Sequence, residues 1–432
     1  MTEDYIDCKV GDLLKLKNGY AFKSNIYQND GIPVIRIGDI QDWNVNIESA
    51  KKIAENKDFD SYQVKNGDIL IAMSGATTGK FGLYSSEEKA YQNQRVGNLV
   101  PHNDILTQRK YIYYLLYSLK REIEKEAYGG AQPNISASKI ENLETLLFPL
   151  PIQRAIVAKI EELFSSLDSG IADLKKAQEQ LKIYRHSLID LIFKNILVEK
   201  SEKKKLKVIT DKIGSGATPK GGRSAYKTQG IPFVRSLNIH FDFIKYEGLA
   251  FIDEVQAEKL SNVTIKEGDV LLNITGASIG RVNIAPKEFD DGRVNQHVSI
   301  IRSKLGELYH PYLKYFLQSP NIQSWIANEN YGATRQALTK GMLENLEVPC
   351  PSFELQKKLV EELEEKISSC KWIEKTITQN LIKAERLRQS ILKKAFEGKL
   401  LSEEEIEKAK KEHDYEPADV LLQKIKAEKK KK

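Results

Sequence analysis

The sequence predicts two mixed α/β (α+β) domains of similar design, each followed by a long helix of coiled-coil character. Three observations carry this prediction. First, the chain is written twice. Gly31-Ile32-Pro33-Val34-Ile35-Arg36 returns as Gly230-Ile231-Pro232-Phe233-Val234-Arg235, Asn93-Gln94-Arg95-Val96 as Asn295-Gln296-His297-Val298, and Glu141-Asn142-Leu143-Glu144 as Glu344-Asn345-Leu346-Glu347. The offsets stay between 199 and 203 residues, so the repeated unit is domain-sized and too long for a solenoid. Second, short β-rich runs bounded by Gly, Asn and Asp turns share each copy with an aromatic helical stretch. Third, apolar residues spaced by seven run for five heptads after each mixed region.

Bulk composition narrows the class. A chain of 432 residues with 41% hydrophobic and 29% charged residues should hold two to four domains with packed cores in a soluble protein. There is no run of 18 apolar residues and no signal-peptide pattern, so no membrane partner is expected. Cys8, Cys350 and Cys370 have neither paired nor metal-like spacing, which points to a reducing cytoplasm. The net charge of +6 permits a nucleic-acid partner and counts against an acidic DNA mimic.

The elements follow in order. The first mixed domain is expected over 1–150, with a strand at Pro33-Val34-Ile35-Arg36-Ile37 and a helix from Tyr111 to Leu119. Pro149-Leu150-Pro151 then marks a helix start, because proline is tolerated in a first turn and disfavours helix before it. The first long helix is expected over 151–199. One seam row reads Ile160, Leu167, Leu174, Leu181 and Leu188; the other reads Ile156, Leu163, Ala177, Tyr184 and Leu191, with Gly170 the gap. Lys200 to Lys207 reads as a polar linker into the second mixed domain, expected over 200–348. That domain carries a strand from Asp269 to Ile274 and a helix from Pro311 to Leu317. Pro349-Cys350-Pro351 opens the second long helix, expected over 349–400. Its first row is Leu363, Cys370, Ile377, Ala384 and Ile391; its second is Leu359, Lys366, Ile373, Asn380, Leu387 and Lys394. A polar seam residue can fix register at a cost in stability, and Asn380 is the candidate. Lys366 and Lys394 are expected to snorkel past the seam. Residues 401–432 read as a charged, helix-prone tail ending in four lysines. The preferred reading of both lysine runs is a solvated surface, with weak phosphate attraction as the alternative.

No catalytic constellation emerges. Gly75 to Lys80 is one residue short of a phosphate-binding loop, and Phe81 stands where Ser or Thr is required. Gly214-Ser215-Gly216 lacks the third glycine of a dinucleotide fingerprint, since Pro219 takes its place. The six histidines show no metal-ligand spacing. No methyltransferase, helicase or nuclease signature is present, so an enzyme reading has little support.

The repeated motifs suggest binding instead. Gly67-Asp68 and Gly268-Asp269 read as structural turns entering a strand. The Ser/Thr-Gly-Ala-x-x-Gly-Lys/Arg loop places Ser74, Thr77, Thr78 and Lys80 in one copy and Thr275, Ser278 and Arg281 in the other. Such a loop suits phosphate oxygens, and a purely structural role fits equally. Lys23 and Ser24, and Thr218, Lys220 and Arg223, sit in early loops that align poorly between the copies. Divergent loops on a shared scaffold are what two different base-reading surfaces would look like. Arg36 and Arg235, with Gln94, Arg95 and Gln296, belong to the repeated boxes. Tyr128 to Gln132 matches Tyr331 to Arg335 as a third candidate loop, in which Gln132 and Arg335 could reach base edges or position on phosphates.

Taken together and in order, these residues resemble the specificity (S) subunit of type I restriction–modification systems, over nearly the whole chain. The resemblance rests on the duplicated Gly-Ile-Pro-x-x-Arg stretch, the Gly-Ala-x-x-Gly loop and the Asn-Gln-x-Val box. It also rests on Gln153 and Gln356 at the helix starts, and on Ala395-Phe396-Glu397-Gly398-Lys399-Leu400. It implies two target recognition domains, each reading one half of a bipartite double-stranded DNA site, and long helices packed as an antiparallel coiled coil. It also implies two methyltransferase subunits, joined by two restriction subunits where a nuclease accompanies them. The chain itself would bind no cofactor and no metal and would catalyse nothing; S-adenosylmethionine, Mg and ATP would belong to the partner subunits. The first helix start is shorter than the second, which leaves open whether the two dock a partner identically. A helix of about 45 residues is roughly 68 Å long. Domains at opposite ends of such a pair would sit about one to two turns of B-DNA apart, at about 34 Å per turn. The seam midpoints Leu174 and Ile377 are expected near the crossing. Other readings are a coiled-coil assembly hub that binds proteins only, and a silent or recombination-donor copy.

Overall fold

The computed structural model describes residues 4–41, 43–128, 133–198, 201–329 and 337–431. The chain forms two compact units, Met1–Asp173 with Asn380–Lys432, and Leu174–Gln379. The long helices run over Leu150–Val198 and Phe353–Phe396, so each unit holds part of both.

In the first unit a six-stranded sheet has the spatial order Leu14–Asn18, Val96–Pro101, Ile69–Ala72, Phe81–Leu83, Trp43–Val45, Ile40–Gln41. A five-stranded sheet runs Tyr27–Gln28, Lys52–Ile53, Ile32–Ile35, Ala90–Gln92, Gln63–Val64. The second unit repeats the centre of this plan. Val270–Asn273 lies between Val298–Ser303 and Val282–Ile284, and Ile231–Val234 pairs in parallel with Arg293–Val294. The registers correspond: Ile69 faces Leu99, and Val270 faces Ile301.

The central strands are apolar at successive positions because both faces are covered. Ile69 and Ile71 join the core shared with the long helices, while Leu70 and Ala72 join a second core under the other sheet. Val270 and Leu272 against Leu271 repeat the division. The predicted aromatic helices are present as Arg109–Ser118 and His310–Gln318.

The long helices pack antiparallel. In the first unit Ile156, Ile160 and Phe164 share a core with Ile391, Leu392 and Ala395; in the second, Leu188 and Phe193 share one with Leu363 and Ile367. The first seam row is as predicted for the second helix, where Leu363, Cys370, Ile377, Ala384 and Ile391 are all buried. Of the companion rows only Ile156 is buried. Tyr184, Leu191, Ile373 and Leu387 are exposed, as are Lys366 and Lys394. The inward companions lie on the other side of the first row: Val157, Phe164, Ile171, Gln178, Arg185 and Ile192, and Val360, Ile367, Glu374, Leu381, Arg388 and Ala395. Both choices satisfy a heptad, since a seam alternates steps of three and four. In the first helix packing uses the more polar of the two rows; in the second it uses the row with two polar positions rather than the one with three. Charged residues therefore do occupy the seam, while Asn380, the polar candidate, lies on the other row. Arg185 lies 3.8 Å from Glu374 and also bonds Asp242. Arg388 bonds Asp168 and lies over the rings of Phe164 (4.7 Å) and Trp43 (5.4 Å).

Two further expectations change. The lysine run after the first helix is not merely a linker: Lys203–Lys205 pairs antiparallel with Glu347–Pro349, as Ile6–Lys9 pairs with Glu144–Leu147. The tail, helix-prone as expected, is more than a solvated lysine run. Glu403–Lys410 and Ala418–Lys431 are helices, and Leu421, Leu422 and Ile425 are buried in the core of the first unit. Lys429 Nζ donates to Gly11 O at 2.6 Å, and Arg154 bonds Asp414 and Glu412.

The unequal helix starts converge. Gln153 and Gln356 are each the fourth residue of their helix and fully buried. Gln153 Oε1 accepts from Gln108 N (3.4 Å), and Gln356 Oε1 from Tyr309 N (2.9 Å), at the N-caps of the two aromatic helices. Each thereby satisfies an orphan amide and pins a mixed domain to its long helix.

Candidate nucleic-acid interface

Ile32–Ile35 and Ala90–Gln92 run parallel, so both end at the same edge. There Asn93 N donates to Ile35 O (3.0 Å), Gln94 N to Tyr20 O (2.8 Å) and Met73 N to Arg95 O (2.9 Å). These bonds gather Arg36, the loop 74–80 and Gln94-Arg95 on one rim, with Lys23 and Ser24 following Tyr20. Thr77 Oγ1 donates to Ile37 O at 3.0 Å and ties the loop to the strand end. The second unit builds the same rim. Asn295 N donates to Val234 O (3.1 Å), Ile274 N to His297 O (2.9 Å), and Asn273 Nδ2 to Ser236 O (2.9 Å). Arg235, the loop 275–281 and Gln296 meet there, and Thr218 Oγ1 bonds Gln296 Oε1.

The loop glycines have a geometric cause. Gly75 and Gly276 stand at φ 87° and 73°, and Gly79 and Gly280 both at 85°, where a side chain is strained. Several loop amides are satisfied internally: Thr78 N by Gly75 O, Gly79 N by Ala72 O and Lys80 N by Thr77 O. The glycines therefore shape the turn rather than simply freeing amides. At Gly216 the need is steric, since a Cβ would lie 1.6 Å from Val294 O.

The nominated residues divide by exposure. Lys23, Ser24, Lys80, Gln94, Arg95, Thr218, Lys220 and Gln296 are exposed. Among the described residues no ion pair engages Lys23, Lys80, Arg95, Lys220 or Arg281; the first four are exposed and Arg281 is half-buried. Other nominees are engaged within the fold. Thr78 is buried and its hydroxyl donates to Gly75 O (2.6 Å), with Pro133 O 3.2 Å away sharing the same hydrogen. Ser278 Oγ accepts from Asn273 Nδ2 (3.2 Å), and Ser74 forms a bridge with Asn134. Arg36 lies 3.9 Å from Asp39, whose carboxyl burial pushes above its ordinary value, against the pull of the Arg36 amide and guanidinium. Arg235 donates to Gly248 O and covers the Tyr226 ring at 5.0 Å. Arg223 lies in the turn Gly222–Ala225, with its side chain outside the described residues, as are Gln132 and Arg335 altogether.

The rim also holds residues that the sequence reading did not nominate. His297 Nδ1 meets Oγ1 of the nominated Thr275, and Tyr20, partly exposed, packs with Phe22, Phe59 and Tyr62. His297 differs between the copies, with Arg95 in its place, and that divergence was the available signal. No group of described residues could hold a metal, and no described helix is long and apolar enough to cross a membrane.

The duplicated fold thus carries a matching rim in each unit. The family model for the type I restriction modification DNA specificity domain matches residues 2–181 and 198–383. The chain belongs to the type I restriction–modification specificity subunits. It is thus a non-catalytic, DNA-binding subunit built on target recognition domains. The Escherichia coli EcoBI specificity subunit is 25% identical to it over 99% of this chain and 92% of that one. The MjaVIII specificity subunit of Methanocaldococcus jannaschii is 24% identical over 84% and 86%. Two solved structures share the fold. A chain from a type I restriction–modification system structure addressing complex assembly and conformational transition superposes with TM-score 0.69 at 18% identity, covering 92% of this specificity subunit and 99% of that chain. The HsdS subunit of Thermoanaerobacter tengcongensis gives 0.54 at 17%, covering 93% and 98%.

Proposed function

We propose that this specificity subunit reads a bipartite double-stranded DNA site, one half with each rim, and scaffolds the subunits that act on it. The carrying observation is the duplication of the rim: Asn93 N to Ile35 O and Met73 N to Arg95 O in one unit, and Asn295 N to Val234 O and Ile274 N to His297 O in the other, hold the two boxes at the same edge of each unit. Cations beside those boxes supply phosphate contacts that set register, while polar side chains of the boxes and of the divergent early loops read bases. Lys23, Lys80, Arg95, Lys220 and Arg281 are the phosphate candidates.

The scaffold reading rests on apolar side chains on the outer faces of the long helices. Ile183, Tyr184, Leu191, Trp372 and Ile373 are exposed, and a lone subunit gains nothing from that exposure. Two methyltransferase subunits are the partners, with restriction subunits where the system cleaves. S-adenosylmethionine, Mg and ATP are theirs, and the assembly is cytoplasmic. The domain scheme follows: recognition over 1–150 and 200–348, and spacing by the helices between and after them.

The test is a methylation map from cells making the methyltransferase subunit with and without this chain. A split motif with a fixed gap, lost when the chain is omitted, is expected. Identical methylation in both would favour a silent or purely structural subunit.

A further inference from the structure

In the second unit four rim side chains form one hydrogen-bonded chain. Thr218 Oγ1 donates to Gln296 Oε1, Gln296 Nε2 lies 3.1 Å from His297 Nε2, and His297 Nδ1 meets Thr275 Oγ1. The His297 backbone amide donates to Asn295 Oδ1 at 3.1 Å, which fixes the root of the imidazole. A carboxamide nitrogen cannot accept, so His297 Nε2 is the acceptor and Nδ1 carries the proton shared with Thr275. The ring nitrogen and the Thr218 hydroxyl thus hold the Gln296 amide from both sides.

These links leave the amide half used. Oε1 keeps one lone pair and Nε2 keeps one N–H, adjacent on an exposed side chain. A fixed acceptor beside a fixed donor matches the adenine edge in the major groove, which offers an N6 donor beside an N7 acceptor. Holding the side chain in advance also lowers the entropy lost on binding. The first unit has no such chain: among the described residues neither the Gln94 amide nor the Arg95 guanidinium has an internal partner, although the backbone beneath them is bonded in the same way. Mere stabilisation of the loop does not require this chain, since the first rim stands without it.

We infer that Gln296, aligned by Thr218 and His297, reads an adenine in the half-site bound by the second domain. Gln296 is the specificity-determining residue; Thr218 and His297 are positioning residues. The inference rests on the bipartite reading above and adds to it the base class and the residue.

The experiment is a methylation map in cells co-expressing the methyltransferase with the full-length subunit as wild type, Gln296→Glu, Gln296→Met, His297→Leu or His297→Gln. Gln296→Glu should shift one position of one half-site from adenine towards cytosine, because a carboxylate accepts from cytosine N4. Gln296→Met should relax that position by roughly 5- to 150-fold, the loss of one bidentate contact. His297→Leu should relax the same position, and His297→Gln should restore it, since its Oε1 can accept where the imidazole did. The other half-site and the gap should not move. A structural role would lower methylation at all sites alike without altering base preference. That result, or an unchanged motif in the Gln296 variants, overturns the inference. Absence of any split motif with the wild-type subunit would instead bring down the bipartite reading.

Discussion

Arg302 grips Asp269 through two parallel hydrogen bonds, Nε to Oδ1 at 2.8 Å and Nη2 to Oδ2 at 2.7 Å. The carboxylate is buried and also accepts from Lys266 N at 2.7 Å. In the first unit Asp68 holds the same place before the central strand. Its cation comes from elsewhere: Arg109, at the start of the aromatic helix, reaches Oδ1 at 2.9 Å, and Asn98 Nδ2 donates to Oδ2 at 2.9 Å. The repeated Gly-Asp pair is therefore an anchor that must be neutralised, while the neutralising residue has drifted from helix to strand. Removing one partner of a buried pair is costlier than removing both. Arg302→Met should destabilise the second unit by about 3–5 kcal/mol, read as a lower urea midpoint. Adding Asp269→Asn should recover part of the loss, and a single-variant change within about 0.5 kcal/mol would refute the anchor role.

The C-terminal helix stabilises the start of the chain. It covers the short helix Val10–Leu13 and buries Leu421, Leu422 and Ile425. Each such side chain contributes about 1.5–3 kcal/mol. A chain ending at Pro417 should lose hydrogen-exchange protection across residues 10–16 while the second unit keeps its own. Full protection after truncation would mean that the packing contributes nothing.

Gly170 lies in the interior of the first long helix, exposed, and a Cβ there would meet nothing within 4 Å. Glycine costs about 0.8–1.0 kcal/mol relative to alanine in a helix interior. Gly170→Ala should raise thermal stability by up to that amount and leave the methylation motif intact. A fall in stability would point to a required bend at this position.

Burial pushes the His310 imidazole below its ordinary value of 6.5, against the attraction of Asp269. The folded form resists the proton more than the unfolded chain does. Stability linked to His310 is thus present above the unfolded value and is lost as pH falls through it towards the folded value. From about pH 7 to about pH 5 the wild type should lose stability faster than His310→Asn. Parallel pH profiles from denaturant unfolding would rule this contribution out.

If the helices set the gap, one heptad added to both should lengthen it. Seven residues span about 10.5 Å, or about 3 base pairs at roughly 3.4 Å each. The methylation motif should keep both half-sites and gain that spacing. An unaltered gap would sink the ruler idea.

Duplication, fold class and the paired long helices were legible in the chain because each is a repetition or a period, and such patterns survive without coordinates. Leu363, Cys370, Ile377, Ala384 and Ile391 announced the seam by spacing alone. The side from which Phe164, Arg185 and Arg388 approach it was not legible, because steps of three and four are equally periodic and only the facing surface selects between them. The packing of the tail was hidden for a similar reason: the charges between Glu403 and Lys431 outnumber the apolar residues, yet Leu421, Leu422 and Ile425 share one helix face that has meaning only against its neighbour. At the rim the boxes themselves were visible, but not the chain from Thr218 to Gln296 to His297 to Thr275, which joins residues 22 and 78 apart in sequence. Local patterns dictate which elements form; long-range hydrogen bonding and packing, which depend on distances no linear pattern encodes, decide which side chains remain free to meet DNA.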